Sequence, residues 1–270
     1  MLVNIIAVSV GVSIGFTSPF LPILQSNESP LSQPLTESQA NWVGSLFALG
    51  ALFGTLIFGW LSAAVGRFWS TLLSPLPEIV RFLSTSLKTS NQFEFQLWWL
   101  IAIFTSTPEF LLLGRFLSGL TAGGVFVLVP LYISEISEDT TRGILGSFFL
   151  FSINIGTLLM FVAGSFMSYS VVPRIMISLP IIFALTFAFL PETPQYLLMN
   201  GKAKKAESSL KFLRGCKKEK KLPEKVQNEF LLMSKKVEED SEMKFNSIFS
   251  ELSKTPQGRS RRRQLNANYI

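Results

Sequence analysis

Few side chains in this sequence combine charge or strong hydrogen-bonding capacity with an apolar setting, and those few bound the chemistry available. Glu135 and Arg142 flank a short polar loop between two apolar runs, and Arg67 stands at the foot of an earlier run. Charges of both signs can therefore pair at one membrane boundary. Asn154 is the clearest polar amide near the middle of an apolar stretch. An amide there can hydrogen-bond a ligand hydroxyl or join one helix to another. The chain has no His and a single Cys, Cys216, in its basic region, which leaves no catalytic His, no multi-Cys zinc site and no disulfide framework. No nucleotide-binding glycine loop and no intramembrane carboxylate pair is legible, so the expectation is a protein that is not an enzyme, with no metal, no cofactor and no obvious proton relay.

The elements that must position these residues are apolar. Of the 270 residues 48% are hydrophobic and 16% are charged, against roughly 25% charged in soluble domains. Between Lys202 and Arg263 lie 18 of the 24 Lys and Arg residues, so the net charge of +6 belongs to a tail. An excess of Lys and Arg marks cytoplasmic segments, and the tail is read as cytosolic and not as a nucleic-acid-binding segment. A bilayer core takes roughly 20 mostly apolar residues per helix. Five spans meet that length, at about 3–24, 41–64, 110–133, 143–167 and 172–190, and none has a charge near its middle. The first lacks a basic leader and a cleavage site, and is read as a retained helix.

A third span, 69–104, is interrupted. Residues 80–96 carry Arg81, Lys88, Glu94 and a Thr-Ser-Asn-Gln cluster that hydrocarbon does not tolerate. Removing them joins FWSTLLSPLPEI to LWWLIAIFTST, one span of ordinary length. Val80-Arg81 can be encoded GTA AGA and Phe95-Gln96 can be encoded TTT CAG, the edges of a short in-frame intron of 17 codons. Residues 80–96 are thus either translated intron or a genuine extramembrane excursion. Arg67, Arg142 and the basic tail all fall on the side reached after an even number of crossings, which places both termini in the cytosol. The loop at 25–39 is then extracytoplasmic. Its sequon, Asn27-Glu28-Ser29, lies too close to the membrane for glycosylation to be expected.

Gly50 with Gly54 and Gly119 with Gly123 form small-xxx-small faces that let helix backbones approach closely where no hydrophobic force joins them. Pro130, inside an apolar run, is expected to weaken or kink its helix.

The stretch GRFLSGLTAGGVFVLVPLYISEISEDTTRG, Gly114 to Gly143, carries Gly114, Arg115, Gly119, Gly123, Gly124, Pro130, Tyr132, Glu135, Ile136, Arg142 and Gly143 in a fixed order, and Pro191-Glu192-Thr193-Pro194 with Leu197 follows the sixth span. Both patterns resemble signatures of the sugar porters of the major facilitator superfamily. Asn154-Ile155-Gly156 and Phe161 to Gly164 resemble the insect facilitated trehalose transporter branch. The loop after the second span keeps Gly59, Gly66 and Arg67, but Ala63 replaces an acid and Phe68 a base, and Leu150 stands where many hexose carriers have a glutamine.

The resemblance implies an all-α membrane fold in which residues 1–198 form the six-helix N-terminal half of a major facilitator and residues 199–270 a basic, helical cytosolic segment. It implies facilitated movement of a sugar, trehalose or hexose, by alternating access. Arg67, Arg115, Glu135, Arg142 and Glu192 are its motif charges for a cytosolic gate, and Asn154 is a candidate sugar contact. The expected partners are the sugar and the lipid bilayer, in the plasma membrane, with a homodimer or a separate second half completing a site that one half cannot close. Two alternatives stay open: a truncated or mis-spliced membrane protein that transports nothing, and a membrane scaffold whose basic tail binds anionic lipid.

Overall fold

The computed structural model describes residues 2–80, 107–169, 171–216 and 223–254. The interruption at 80–96, save Val80, the apolar run at 97–104 and the basic cluster Arg259–Arg263 lie outside the described residues. All regular structure among the described residues is helical, and the chain divides into two compact units, 1–192 and 193–270.

In the first unit α1 (Asn4–Gly15) and α2 (Thr17–Gln25) follow one another as a 22-residue apolar stretch. Next comes α3 (Glu37–Ala64), opened by Thr36, whose hydroxyl accepts from the Gln39 N–H while the Gln39 side chain accepts from the Thr36 N–H. This reciprocal cap satisfies two of the donors that a helix start leaves open. Then follow α4 (Arg67–Leu73), a further helical piece at 76–80, α5 (Pro108–Ile136), α6 (Asp139–Phe166), α7 (Val172–Met176) and α8 (Ser178–Phe187). Four stretches are long and apolar enough to cross a membrane, Asn4–Gln25, Glu37–Ala64, Pro108–Ile136 and Thr140–Phe166, and Val172–Phe187 is a shorter apolar one. Helix α5 runs through Pro130 without ending. The ring lies on an exposed face, so the missing N–H removes one ladder bond without a clash inside the bundle.

Glycine sets how the helices meet. A Cβ at Gly50 would run into the Phe116 carbonyl oxygen, one at Gly54 into that of Leu120, one at Gly119 into that of Phe47 and one at Gly123 into that of Ala51. Helix α3 therefore lies against α5 with backbone touching backbone. Phe47 meets Gly119 and Ala51 meets Gly123, a constant offset of 72 positions, so the two helices run parallel. Helices α1 and α6 use the same device: a Cβ at Gly11 would strike the Ile153 oxygen and one at Gly156 the Val8 oxygen, while Thr157 Oγ1 donates to the Gly11 carbonyl at 3.1 Å. Helix α4 packs against α5.

Two apolar layers fill the unit. One joins Ile6, Val10, Val125, Val129, Tyr132, Phe183 and Phe187, and the other joins Val12, Phe16, Phe20, Val43, Met160 and Met176. Leu56 and Trp60 of α3, Leu158 of α6 and Leu185 of α8 point outward, more than 60% exposed. An outer surface this apolar is suited to hydrocarbon and not to water.

The second unit holds α9 (Pro194–Met199), α10 (Ala203–Leu213) and α11 (Glu224–Lys254). Thr193 caps α9, whose first residue is Pro194. In α10, Ala206 and Leu210 are buried, and Ala203, at the exposed first turn, is not. Arg214 Nε donates to Glu229 Oε2 at 3.0 Å, joining the end of α10 to α11.

Candidate functional site

The charged site of the first unit begins at a turn. Gly66 ends the connection after α3 with φ 115°, in the left-handed region that a side chain makes costly, and α4 starts at the next residue. This directs Arg67 inward to α5. Its Nε donates to Glu135 Oε1 at 2.9 Å and to Oε2 at 3.2 Å, and its Nη1 donates to the Ser62 carbonyl at 3.1 Å. Arg67 is 9% exposed and Glu135 5%. This is a buried pair and not a surface one. Exposed pairs contribute about 1 kcal/mol at most, whereas removing one partner of a buried pair costs about 3–5 kcal/mol.

Two further bonds tie the same place to the end of the unit. Glu192 Oε1 accepts from the Phe68 N–H at 2.9 Å, in the first turn of α4, where a carboxylate meets unsatisfied amides. Tyr132, one turn before Glu135, donates its hydroxyl to the Pro191 carbonyl at 3.0 Å. The Phe68 ring, at a position where the resemblance expects a base, stacks on Phe187 at 5.5 Å. The loop after α3, the end of α5 and the Pro191-Glu192 segment thus interlock through four hydrogen bonds and a ring stack. Loss of any one would loosen the other two.

Of the charges grouped on sequence, the structure brings Arg67, Glu135 and Glu192 to this place. Arg142 is exposed in the first turn of α6, outside the buried set. Arg115 is separated from it: the twenty residues from 115 to 135 on one helix put its backbone about 30 Å away. There Arg115, 2% exposed, donates from Nε to the Val43 carbonyl at 3.2 Å and from Nη1 to the Ser13 carbonyl at 2.8 Å. Its guanidinium lies over the rings of Phe47 and Phe16, 4.8 and 5.4 Å from their centroids. An arginine joined to two backbones and two rings ties α1, α3 and α5 together. Membership of the helix start, and not of the charged end, decides what Arg115 can do.

Asn154 is exposed on α6, and its Nδ2 donates to the Leu150 carbonyl of its own helix at 2.9 Å. Joining α6 to α1 falls to Thr157 instead. Sequence reading missed Thr157, Ser13 and Glu78. Glu78 is 1% exposed and accepts from Ser13 Oγ at 2.6 Å. Its signal was present as the one acid in the apolar run at 69–79, a position where a carboxylate must have a partner.

Long apolar helices joined backbone to backbone, with a buried ionic clasp at one end, are those of a multi-pass helical membrane protein. The chain matches the family model for "Sugar (and other) transporter" over residues 3–265 and belongs to that family. At family level this is a lineage of transporters and not of enzymes. It is similar to the bovine solute carrier family 2, facilitated glucose transporter member 8, with 33% identity over 77% of this chain and 40% of that protein. It is also similar to the facilitated trehalose transporter Tret1-2 homolog of Drosophila simulans, 31% identical over 91% of this chain and 46% of that protein. The chain therefore spans less than half the length of these relatives. Among solved structures it shares the fold of the proton:xylose symporter XylE bound to 6-bromo-6-deoxy-D-glucose, with a TM-score of 0.65 and 20% identity over 88% of this chain and 53% of that one. A partially occluded inward-open XylE from E. coli superposes with a TM-score of 0.62 and 22% identity, over 93% of this chain and 62% of that one.

Proposed function

We propose that this chain supplies the N-terminal, six-helix half of a facilitative sugar carrier, trehalose or hexose being the substrate, which works by alternating access in the plasma membrane. Residues 1–198 form that half and 199–270 the cytosolic segment beyond it, with both termini cytosolic. The observation that carries the reading is the buried clasp, in which Glu135 holds Arg67 while Glu192 holds the amide beside it. Carriers of this type bind substrate near the midplane between two halves, and access alternates as the halves rock. A clasp at one end of one half, with polar partners able to separate as a unit, is the element such rocking would make and break. Arg67, Glu135 and Glu192 act as its closed state, with exposed Arg142 at its rim. Asn154, on an exposed face, is available to a sugar hydroxyl. A second half, in the same polypeptide or from a second copy, completes the site.

Labelled trehalose and glucose uptake tests this in a transporter-deficient cell expressing the product of the native transcript. Saturable uptake that falls at least tenfold in Arg67→Ala supports the proposal. Surface-expressed protein with no saturable uptake of either sugar would favour the non-transporting alternative. The topology is checked with Glu138→Cys, which should react with a membrane-impermeant thiol reagent only from the cytosolic side.

A further inference from the structure

Helix α10 of the second unit has two unlike sides. Ala206, Ser209 and Leu210 are buried, whereas Lys204, Lys205, Ser208 and Phe212 are exposed and Lys211 is partly so. Helical residues three and four apart are neighbours on one face, so Lys204, Lys205 and Lys211 surround Ser208. Lys211 Nζ pairs with Glu207 at 2.9 Å. Lys204 and Lys205 make no ion pair among the described residues.

A serine after two bases is a pattern with a reader. Kinases choose hydroxyls by the charges around them, and Ser208 has lysines at the third and fourth positions before it. Exposure separates it from other hydroxyls in similar settings. Ser70 and Ser118 each stand three residues after an arginine, yet both are buried and donate to carbonyls four residues back, at 2.7 and 2.9 Å. Ser209, beside Ser208, is 4% exposed. A kinase takes its substrate as an extended strand, so α10 must open locally. An 11-residue helix is marginal by itself in water, and short exposed elements open more readily than long packed ones.

We propose that Ser208 is a phosphorylation site for a serine kinase that reads bases on the N-terminal side, and that Lys204, Lys205 and Lys211 hold the phosphate once it is made. In the step Ser208 Oγ bonds to the γ-phosphorus of ATP, the bond from that phosphorus to the bridging oxygen breaks, the hydroxyl proton passes to the kinase's base, and ADP leaves. The product carries about two negative charges. Placed among three lysines, it makes charge-assisted hydrogen bonds and draws Lys211 from Glu207. The outer face of α10 changes from strongly basic to nearly neutral.

The test is incubation of the purified full chain in detergent micelles with ATP and a kinase of this class, followed by peptide mass spectrometry. Phosphate should appear on Ser208 and not on Ser209, and that site should be empty in Ser208→Ala. In Lys204→Gln with Lys205→Gln the kcat/KM for Ser208 should fall about tenfold or more. Removal of the phosphate by a phosphatase should quicken about threefold or more in Lys211→Gln, as a charge-assisted contact is lost. No phosphate on Ser208 of the wild type, or an unchanged kcat/KM in the double variant, would overturn the site, and an unchanged removal rate would overturn the hold on the phosphate. All the replaced side chains lie on the outer face of α10, and unfolding in sodium dodecyl sulfate checks that each variant is folded. Use of the site in a cell rests on the cytosolic reading of 199–270. Micelles leave both ends of the chain open, so failure there counts against the site alone, while labelling of Glu138→Cys judges the cytosolic reading.

Discussion

Replacing Glu135 by Gln keeps the side-chain volume and removes one charge. Arg67 would then stay charged in a place where it is 9% exposed, with two of its hydrogen bonds, at 2.9 and 3.2 Å, reduced to one contact with a neutral amide. The third, to the Ser62 carbonyl at 3.1 Å, survives and limits the damage. For a buried pair broken on one side the expected loss is about 3 kcal/mol, the lower end of the usual range. If the clasp holds one end of the carrier closed, the same energy shifts the closed-to-open ratio about a hundredfold toward open. The double replacement Arg67→Met with Glu135→Leu removes both charges together and should lie within about 1–2 kcal/mol of wild type, because no uncompensated charge remains. Unfolding of Arg67→Met, Glu135→Leu and the double variant from mixed micelles by sodium dodecyl sulfate gives three differences, and with about 3 kcal/mol for each single change the double-mutant cycle gives a coupling of about 4–5 kcal/mol. A single variant within about 0.5 kcal/mol of wild type, the scale of an exposed pair, would refute the argument that burial makes this contact strong.

Gly119→Leu places a side chain against the Phe47 carbonyl and the Ala51 amide, so α3 and α5 must separate. A loss of about 1–3 kcal/mol or more is expected in the same unfolding assay, and Gly143→Leu, in open space, serves as the neutral control. Tyr132→Phe removes only the hydroxyl that donates to Pro191; it should cost about 1 kcal/mol, since the ring stays packed on Phe187. Asn154→Ala removes a bond within one exposed helical turn, so unfolding should be unchanged within about 0.5 kcal/mol. Sugar uptake should fall if the amide meets the substrate, and unchanged uptake would remove Asn154 from the proposed contact.

Helix positions were legible because length and apolar composition alone decide them once water is excluded. Spans at about 41–64 and 110–133 correspond to α3 and α5, each a few residues longer because the Thr36 cap and the Thr107-Pro108 start lie in polar flanks. Small-xxx-small spacing also identified Gly50, Gly54, Gly119 and Gly123, since four-residue spacing keeps them on one helix face. It passed over Gly11 and Gly15, which have the same four-residue spacing and meet Ile153, Thr157 and Met160 of α6. The charged residues were harder. Motif reading placed Arg115 with Arg67 because both carry family patterns, yet motif membership holds no distance, and twenty residues of helix separate Arg115 from Glu135. Tyr132 and Pro191 stood in two quoted motifs with nothing in either to say that they touch. Glu78 escaped because it sat at the edge of an interrupted span, where an acid reads as the start of a polar segment and not as a buried partner of Ser13.

Counterflow in proteoliposomes bears most directly on the claim that this chain is half of a sugar carrier. Vesicles holding the purified product of the native transcript, loaded with unlabelled trehalose or glucose and diluted into labelled sugar, should accumulate label transiently above equilibrium. The overshoot should be lost in Arg67→Ala. Protein shown to be folded by its unfolding profile, yet giving no overshoot with either sugar beyond protein-free vesicles, would contradict the account.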